Sequence, residues 1–156
     1  MQTELEADLK QTRPFKSPLE EAFVALQRTS AVLEHALETW LKPLGVTSTQ
    51  YNVLRILRGA GPDGLCRSEI GERMVRRVPD VTRLLDRLED AGSIERSRGG
   101  EDRRYVTTRI TPKGLETLTA LDAVIARFHR EHMGALAPAD VQSLIALLTR
   151  LRRTQA

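Results

Sequence analysis

Three observations predict a mainly α-helical fold with one small β-hairpin. Long stretches repeat apolar residues at steps of three and four, the spacing of one helix face. Ser17-Pro18 and Thr111-Pro112 each join a capping side chain to a first-turn proline. One region only, residues 93–110, is short, β-branched and split by glycines. At 156 residues the chain allows one domain, or one domain with an extension. This size and the scarcity of strand-like segments argue against enzymes built on large parallel sheets.

Residues 1–14 carry little apolar content, end at Pro14 and read as a flexible arm. They lack the basic start and apolar stretch of a signal peptide. From Phe15, a stripe through Leu19, Phe23, Leu26, Leu33, Leu37 and Trp40 predicts one long helix. It should start at Ser17-Pro18 and run to about Lys42, where Pro43 and Gly45 stop it. So long and narrow a stripe suggests pairing with another long helix, in this chain or in a second copy.

Thr47 to Thr49 offer caps for a second helix carrying Tyr51, Val53, Leu54, Ile56 and Leu57, which Gly59 to Gly64 break. Ser68 to about Val75 reads as a third helix. Arg76-Arg77-Val78 then turns into a fourth, from Pro79 to Ala91, with Val81, Leu84, Leu85 and Leu88 inward and Gly92 as its stop. Residues 93–98 and 104–110 form the hairpin, with Gly99-Gly100-Glu101-Asp102 between them. Thr111-Pro112 opens a helix reaching about Gly134, and Ala137-Pro138 a last one bearing Val141, Leu144, Leu148 and Leu151.

Charge adds a weak indication. The 24 basic residues are 20 Arg and 4 Lys, yet the net charge is +3 and the pI near 9.4. Eleven of the arginines fall in residues 66–110, together with nine acids. Guanidinium groups suit phosphate and guanine edges; a salt-bridged surface is the plainer reading.

Two short helices and a hairpin in immediate succession form a winged helix-turn-helix, whose second helix can enter the DNA major groove. Its candidates are Arg76 and Arg77 in the turn, Asp80, Thr82 and Arg83 in the first turn and a half, and Arg87 one turn on. Arg96, Arg98, Arg103 and Arg104 arm the hairpin. The same module also serves protein interaction without sequence-specific DNA binding, and that is the alternative function.

Residues 47–114 resemble the core of the MarR family of bacterial transcriptional regulators. The resemblance rests on Leu88-Glu89-Asp90-Ala91-Gly92-Ser93-Ile94, then Asp102-Arg103-Arg104, then Thr111-Pro112-Lys113-Gly114, at the family's spacing. Val81 to Leu88 resemble its recognition helix. Ser93 stands where the family usually has a larger apolar residue. The resemblance implies a flexible arm (1–14), a first dimerisation helix (15–45), a winged DNA-binding domain (46–111) and C-terminal dimerisation helices (112–156). It further implies a cytoplasmic homodimer that represses by binding a pseudo-palindromic operator in double-stranded DNA. Asp102 would hold a wing arginine in place, and Arg103 or Arg104 would probe the minor groove. An aromatic or phenolic effector would release the DNA, with Arg28, His35, Trp40, Tyr51 and Arg55 as pocket candidates.

Other chemistry is thin. Cys66, the single cysteine, excludes an intrachain disulfide and fits a reducing compartment. Placed at the start of the third helix, it reads as an inert thiol, with oxidant sensing as the alternative. His129 and His132 lack a third ligand and read as surface residues, so neither metal nor cofactor is expected. No nucleophile–base pair, phosphate loop or paired-carboxylate motif suggests an enzyme. No apolar run approaches the roughly 18 residues of a membrane span.

Overall fold

The computed structural model describes residues 3–98 and 106–154. Along the chain these form α1 (Glu4–Asp8), α2 (Pro18–Leu41), α3 (Ser48–Ala60), β1 (Leu65–Cys66), α4 (Arg67–Arg73), α5 (Val81–Asp90), β2 (Ile94–Arg98), β3 (Val106–Ile110), α6 (Pro112–Met133) and α7 (Pro138–Arg153). The chain divides into two compact units, Met1–Ser48 and Thr49–Ala156. No described helix is long and apolar enough to cross a membrane.

In the first unit, the stretch expected to be a flexible arm contains α1. A capping box between Thr3 and Glu6 closes its start. The buried Glu6 carboxylate also accepts the Phe15 N–H at 2.9 Å, bending the chain back on the helix. The N–H groups of Thr3 and Phe15 hold this carboxyl below its ordinary pKa. α2 starts as expected: Ser17 accepts the Glu20 N–H at 3.2 Å and Pro18 occupies the first turn. It ends at Leu41; a 3-10 turn over Lys42–Leu44 then closes on Gly45 at φ +71°. At its N-terminal end the stripe is exposed, Leu19 at 82% and Phe23 at 61%.

The second unit holds the larger core. Val53, Leu54 and Leu57 of α3, Ile70 of α4, Leu85 and Leu88 of α5, and Leu118 and Leu121 of α6 are buried. Each contributes roughly 1.5–3 kcal/mol by leaving water. Arg58 of α3 holds Asp122 of α6 through two parallel bonds of 3.0 and 3.1 Å.

The hairpin is part of a three-stranded antiparallel sheet in the order β1-β3-β2. Ile94 pairs with Ile110 and Arg98 with Val106, while Leu65 and Cys66 pair with Thr108 and Thr107. The third strand, β1, was not expected, since two residues are too few to show alternation.

The start of the fourth helix also differs. Pro79 lies outside α5, and Asp80 is its N-cap, accepting the Arg83 N–H at 2.9 Å. An aspartate supplies the acceptor that a proline cannot, so the helix starts two residues later than Pro79 suggested, at Val81. At the other end, the Gly92 N–H bonds the Glu89 carbonyl and the Ser93 N–H the Leu88 carbonyl. With Gly92 at φ +72°, this is a Schellman motif. Ser93 occupies the position after the glycine, where it is buried and its carbonyl accepts the Thr111 N–H at 3.1 Å.

Candidate nucleic-acid interface

α5 has two faces because its apolar and polar residues alternate at helical spacing. Leu85 and Leu88 are buried and Val81 and Leu84 half-buried. Thr82, Arg83 and Arg87 are exposed, with Arg83 and Arg87 one turn apart on the same side. Arg76 and Arg77 are exposed in the connection before it. That connection is tied down where the Val75 N–H meets Asn52 Oδ1 at 2.9 Å. The structure therefore brings five of the expected residues to α5 and its approach. Asp80 is committed to its cap.

On the wing, Arg98 is exposed at the last described residue of β2. Asp102, Arg103 and Arg104 lie outside the described residues. Arg96 does not join them. Its guanidinium turns back onto α5, with Nη2 2.6 Å from Asp86 Oδ1 and Nε 2.8 Å from Glu89 Oε2. Its backbone N–H also reaches Glu89, at 3.1 Å. Arg109 is likewise internal, donating to the Pro62 carbonyl and to Ser97 Oγ, each at 2.8 Å. Alternation along β2 and β3 could not separate these two arginines from contact residues, because their acceptors lie on other elements.

The Arg96 cluster couples the wing base to the helix. Hydrogen bonding to Arg96 holds the Glu89 carboxyl below its ordinary value of 4.5. Such a group stabilises the fold fully above its unfolded pKa, and the contribution is lost as pH falls through the lowered folded value. Arg96→Met should cost about 1 kcal/mol, since the cluster is partly solvent-exposed. It should also flatten the loss of stability below pH 4.5, which thermal melts of both proteins across pH 3–7 would show. A variant that melts like the parent at every pH would contradict the coupling.

One residue escaped sequence reasoning. Arg67, exposed at the start of α4, donates from Nη1 to Thr82 Oγ1 at 3.0 Å. No local pattern links residues fifteen apart across a helix-turn-helix. Both side chains line an open cleft of about 520 Å³, together with Leu85, Arg96 and Thr108. Cys66 lines it as well. The thiol stands in β1 as the N-cap of α4, half-buried, with Sγ 3.0 Å from Ser68 Oγ.

The ligand-pocket candidates fall in both units. Tyr51 is buried in the core, and the Arg55 guanidinium lies 5.7 Å from its ring centre. In the first unit, Arg28 and His35 are exposed and Trp40 is half-buried. His35 lines an open groove of about 370 Å³ with Glu38, Thr39, Lys42 and Thr47. His132 stacks on Phe128 at 4.2 Å, with Nδ1 3.0 Å from the Phe128 carbonyl. Among the described residues no group of three or more His, Cys, Asp or Glu could hold a metal ion.

The MarR family model matches residues 46–106, the segment that takes in α3 to β2 and ends at Val106, the first residue of β3. A MarR transcription factor from Planctomyces limnophilus is 34% identical, with a TM-score of 0.68 over 87% of this chain and 98% of that one. The chain belongs to the MarR family. Two further structures share the fold. AbsC, a MarR family transcriptional regulator from Streptomyces coelicolor, superposes with a TM-score of 0.81 at 24% identity, over 92% of this chain and 98% of that one. A cysteine-to-serine variant of E. coli MarR complexed with operator DNA gives 0.78 at 23%, over 89% and 99%. The mainly helical winged fold predicted from the sequence is thus that of MarR family members.

Proposed function

We propose that this MarR family member is a sequence-specific regulator that binds a pseudo-palindromic operator in double-stranded DNA as a homodimer and represses from it. The observation that carries the reading is the exposed face of α5. Thr82, Arg83 and Arg87 project from a helix capped at Asp80 and anchored through Leu85 and Leu88. Such a face fits the major groove, with Arg76, Arg77 and Arg98 placed for phosphates. The MarR–operator complex from E. coli shows that a protein of this fold binds DNA.

Two exposed apolar faces support the homodimer. Leu19 and Phe23 on α2 are 82% and 61% exposed, and Ile145, Leu147 and Leu151 on α7 are 50–59% exposed. Residues 15–45 and 112–156 are the proposed dimerisation helices. For release by an acidic aromatic or phenolic ligand, the groove at His35 offers a cationic neighbour in Lys42.

Binding to the promoter fragment of its own gene should weaken steeply with salt, because phosphate contacts dominate affinity. Phe23→Glu should turn the dimer into a monomer and lower DNA affinity by about 100-fold or more, as the second half-site loses its linkage to the first. Gel filtration and a gel-shift titration read the two effects. A parent that fails to retard the fragment at low salt would favour the protein-interaction alternative.

A further inference from the structure

We propose that Arg67 fixes Thr82 as a hydrogen-bond donor toward DNA and so sets the base preferred at one position of each half-site. The inference rests on α5 being the DNA-reading helix. Arg67 opens α4 and Thr82 lies in the first turn of α5; their side chains meet at 3.0 Å, Nη1 to Oγ1. Both residues are exposed and face open clefts of about 520 and 280 Å³, so a base edge can approach.

The chemistry follows from what each group can give. A threonine hydroxyl has one hydrogen to donate and two lone pairs to accept, and it rotates to suit its partner. Left alone, it meets donor and acceptor edges alike and discriminates poorly. A guanidinium carries donors only and stays charged. When Arg67 donates to Oγ1 it fills one lone pair, and it cannot accept the hydroxyl hydrogen. Among the described residues Arg67 is the one hydrogen-bond partner of Thr82 Oγ1.

The hydroxyl hydrogen is therefore left to point outward. The adjacent positive charge polarises the O–H bond and opposes the approach of a second donor. Thr82 then reads acceptors: guanine O6 or N7, thymine O4, or adenine N7. Cytosine, which offers its N4 amino group in the major groove, is disfavoured at the base that Thr82 faces. Arg67 acts here as a positioning residue, separate from any phosphate contact its remaining N–H groups make.

Selection from a randomised duplex library distinguishes these roles. The parent, Arg67→Ala, Arg67→Lys, Thr82→Val and the Arg67→Ala/Thr82→Val double variant are each used to enrich duplexes, which are then sequenced. The parent is expected to exclude cytosine at one position per half-site. Arg67→Ala should relax that exclusion about fivefold, the worth of one ordinary hydrogen bond, and leave other positions unchanged. Arg67→Lys, which keeps a charged donor, should retain most of it. In the Thr82→Val background, Arg67→Ala should change nothing further. If Arg67→Ala lowers affinity for all duplexes equally with its preferences intact, Arg67 is a phosphate contact and the inference fails. It fails also if the relaxation persists without the Thr82 hydroxyl. A parent that enriches no sequence removes the DNA-reading premise itself, a result distinct from the other two.

Discussion

Gly114→Ala is expected to lower the stability of the chain by about 3 kcal/mol, the range of substitutions that force overpacking against fixed backbone. A Cβ built on Gly114 would stand 2.2 Å from the Ser93 carbonyl oxygen and 2.7 Å from Ile110 Cγ1. The oxygen belongs to backbone already bound at both sides, since the Ser93 N–H caps α5 and its carbonyl accepts the Thr111 N–H. Neither α6 nor the end of α5 can retreat without opening this junction. Thr111 Oγ1 donates to the Gly92 carbonyl at 2.7 Å, and Lys113 Nζ to the Ala91 carbonyl at 2.6 Å. DNA affinity should therefore fall with stability, because the same junction anchors α5. Gly59→Ala is the matched control. Nothing lies within 4 Å of its added methyl in α3, so it should gain about 0.5–1 kcal/mol. Denaturant unfolding of both variants checks the opposite signs; equal effects would contradict the close approach at Gly114.

Arg83→Ala should lower affinity for the preferred operator by about 10- to 100-fold, the worth of one good base contact, and by far less for random duplex. The fold should survive, because Asp80 caps α5 through the backbone N–H of residue 83, which alanine retains. Arg98→Ala should behave differently, weakening all sequences alike and reducing the slope of affinity against salt by about one. Fluorescence anisotropy with operator and scrambled duplexes separates the two patterns. Similar losses on both duplexes for Arg83→Ala would remove it from the base-reading set.

Much of the fold was legible because the chain marks its own boundaries. Ser17-Pro18, Thr111-Pro112 and Pro138 begin α2, α6 and α7 where the sequence indicated, and Gly92 ends α5. Local chemistry misled at Pro79, where Asp80 provides the stronger start signal. It failed for α1, a five-residue helix whose Glu6 carboxylate is also held by a contact nine residues away, from the Phe15 N–H. The two-residue β1 exists only because β3 pairs with it.

The site was legible in its exposed face and not in its ties. Sequence pattern placed Thr82, Arg83 and Arg87 opposite the apolar side of α5. Arg96 looked equivalent to Arg98, yet it finds its acceptors on another element, Asp86 and Glu89 of α5. The ends of the signature that carried the family resemblance turn out to be a joint. Thr111, Lys113 and Gly114 lock α6 to the C-terminus of α5 and the start of β2. The signature thus braces α5 at those positions.

The central claim, that α5 reads the major groove as one of a two-fold pair, is tested most directly by protection of guanine N7 from methylation, since N7 lies in that groove. The account predicts protection in two patches about one helical turn apart on operator DNA, lost with Arg83→Ala. Bound DNA with no protected guanine, or with protection unchanged in Arg83→Ala, would contradict it.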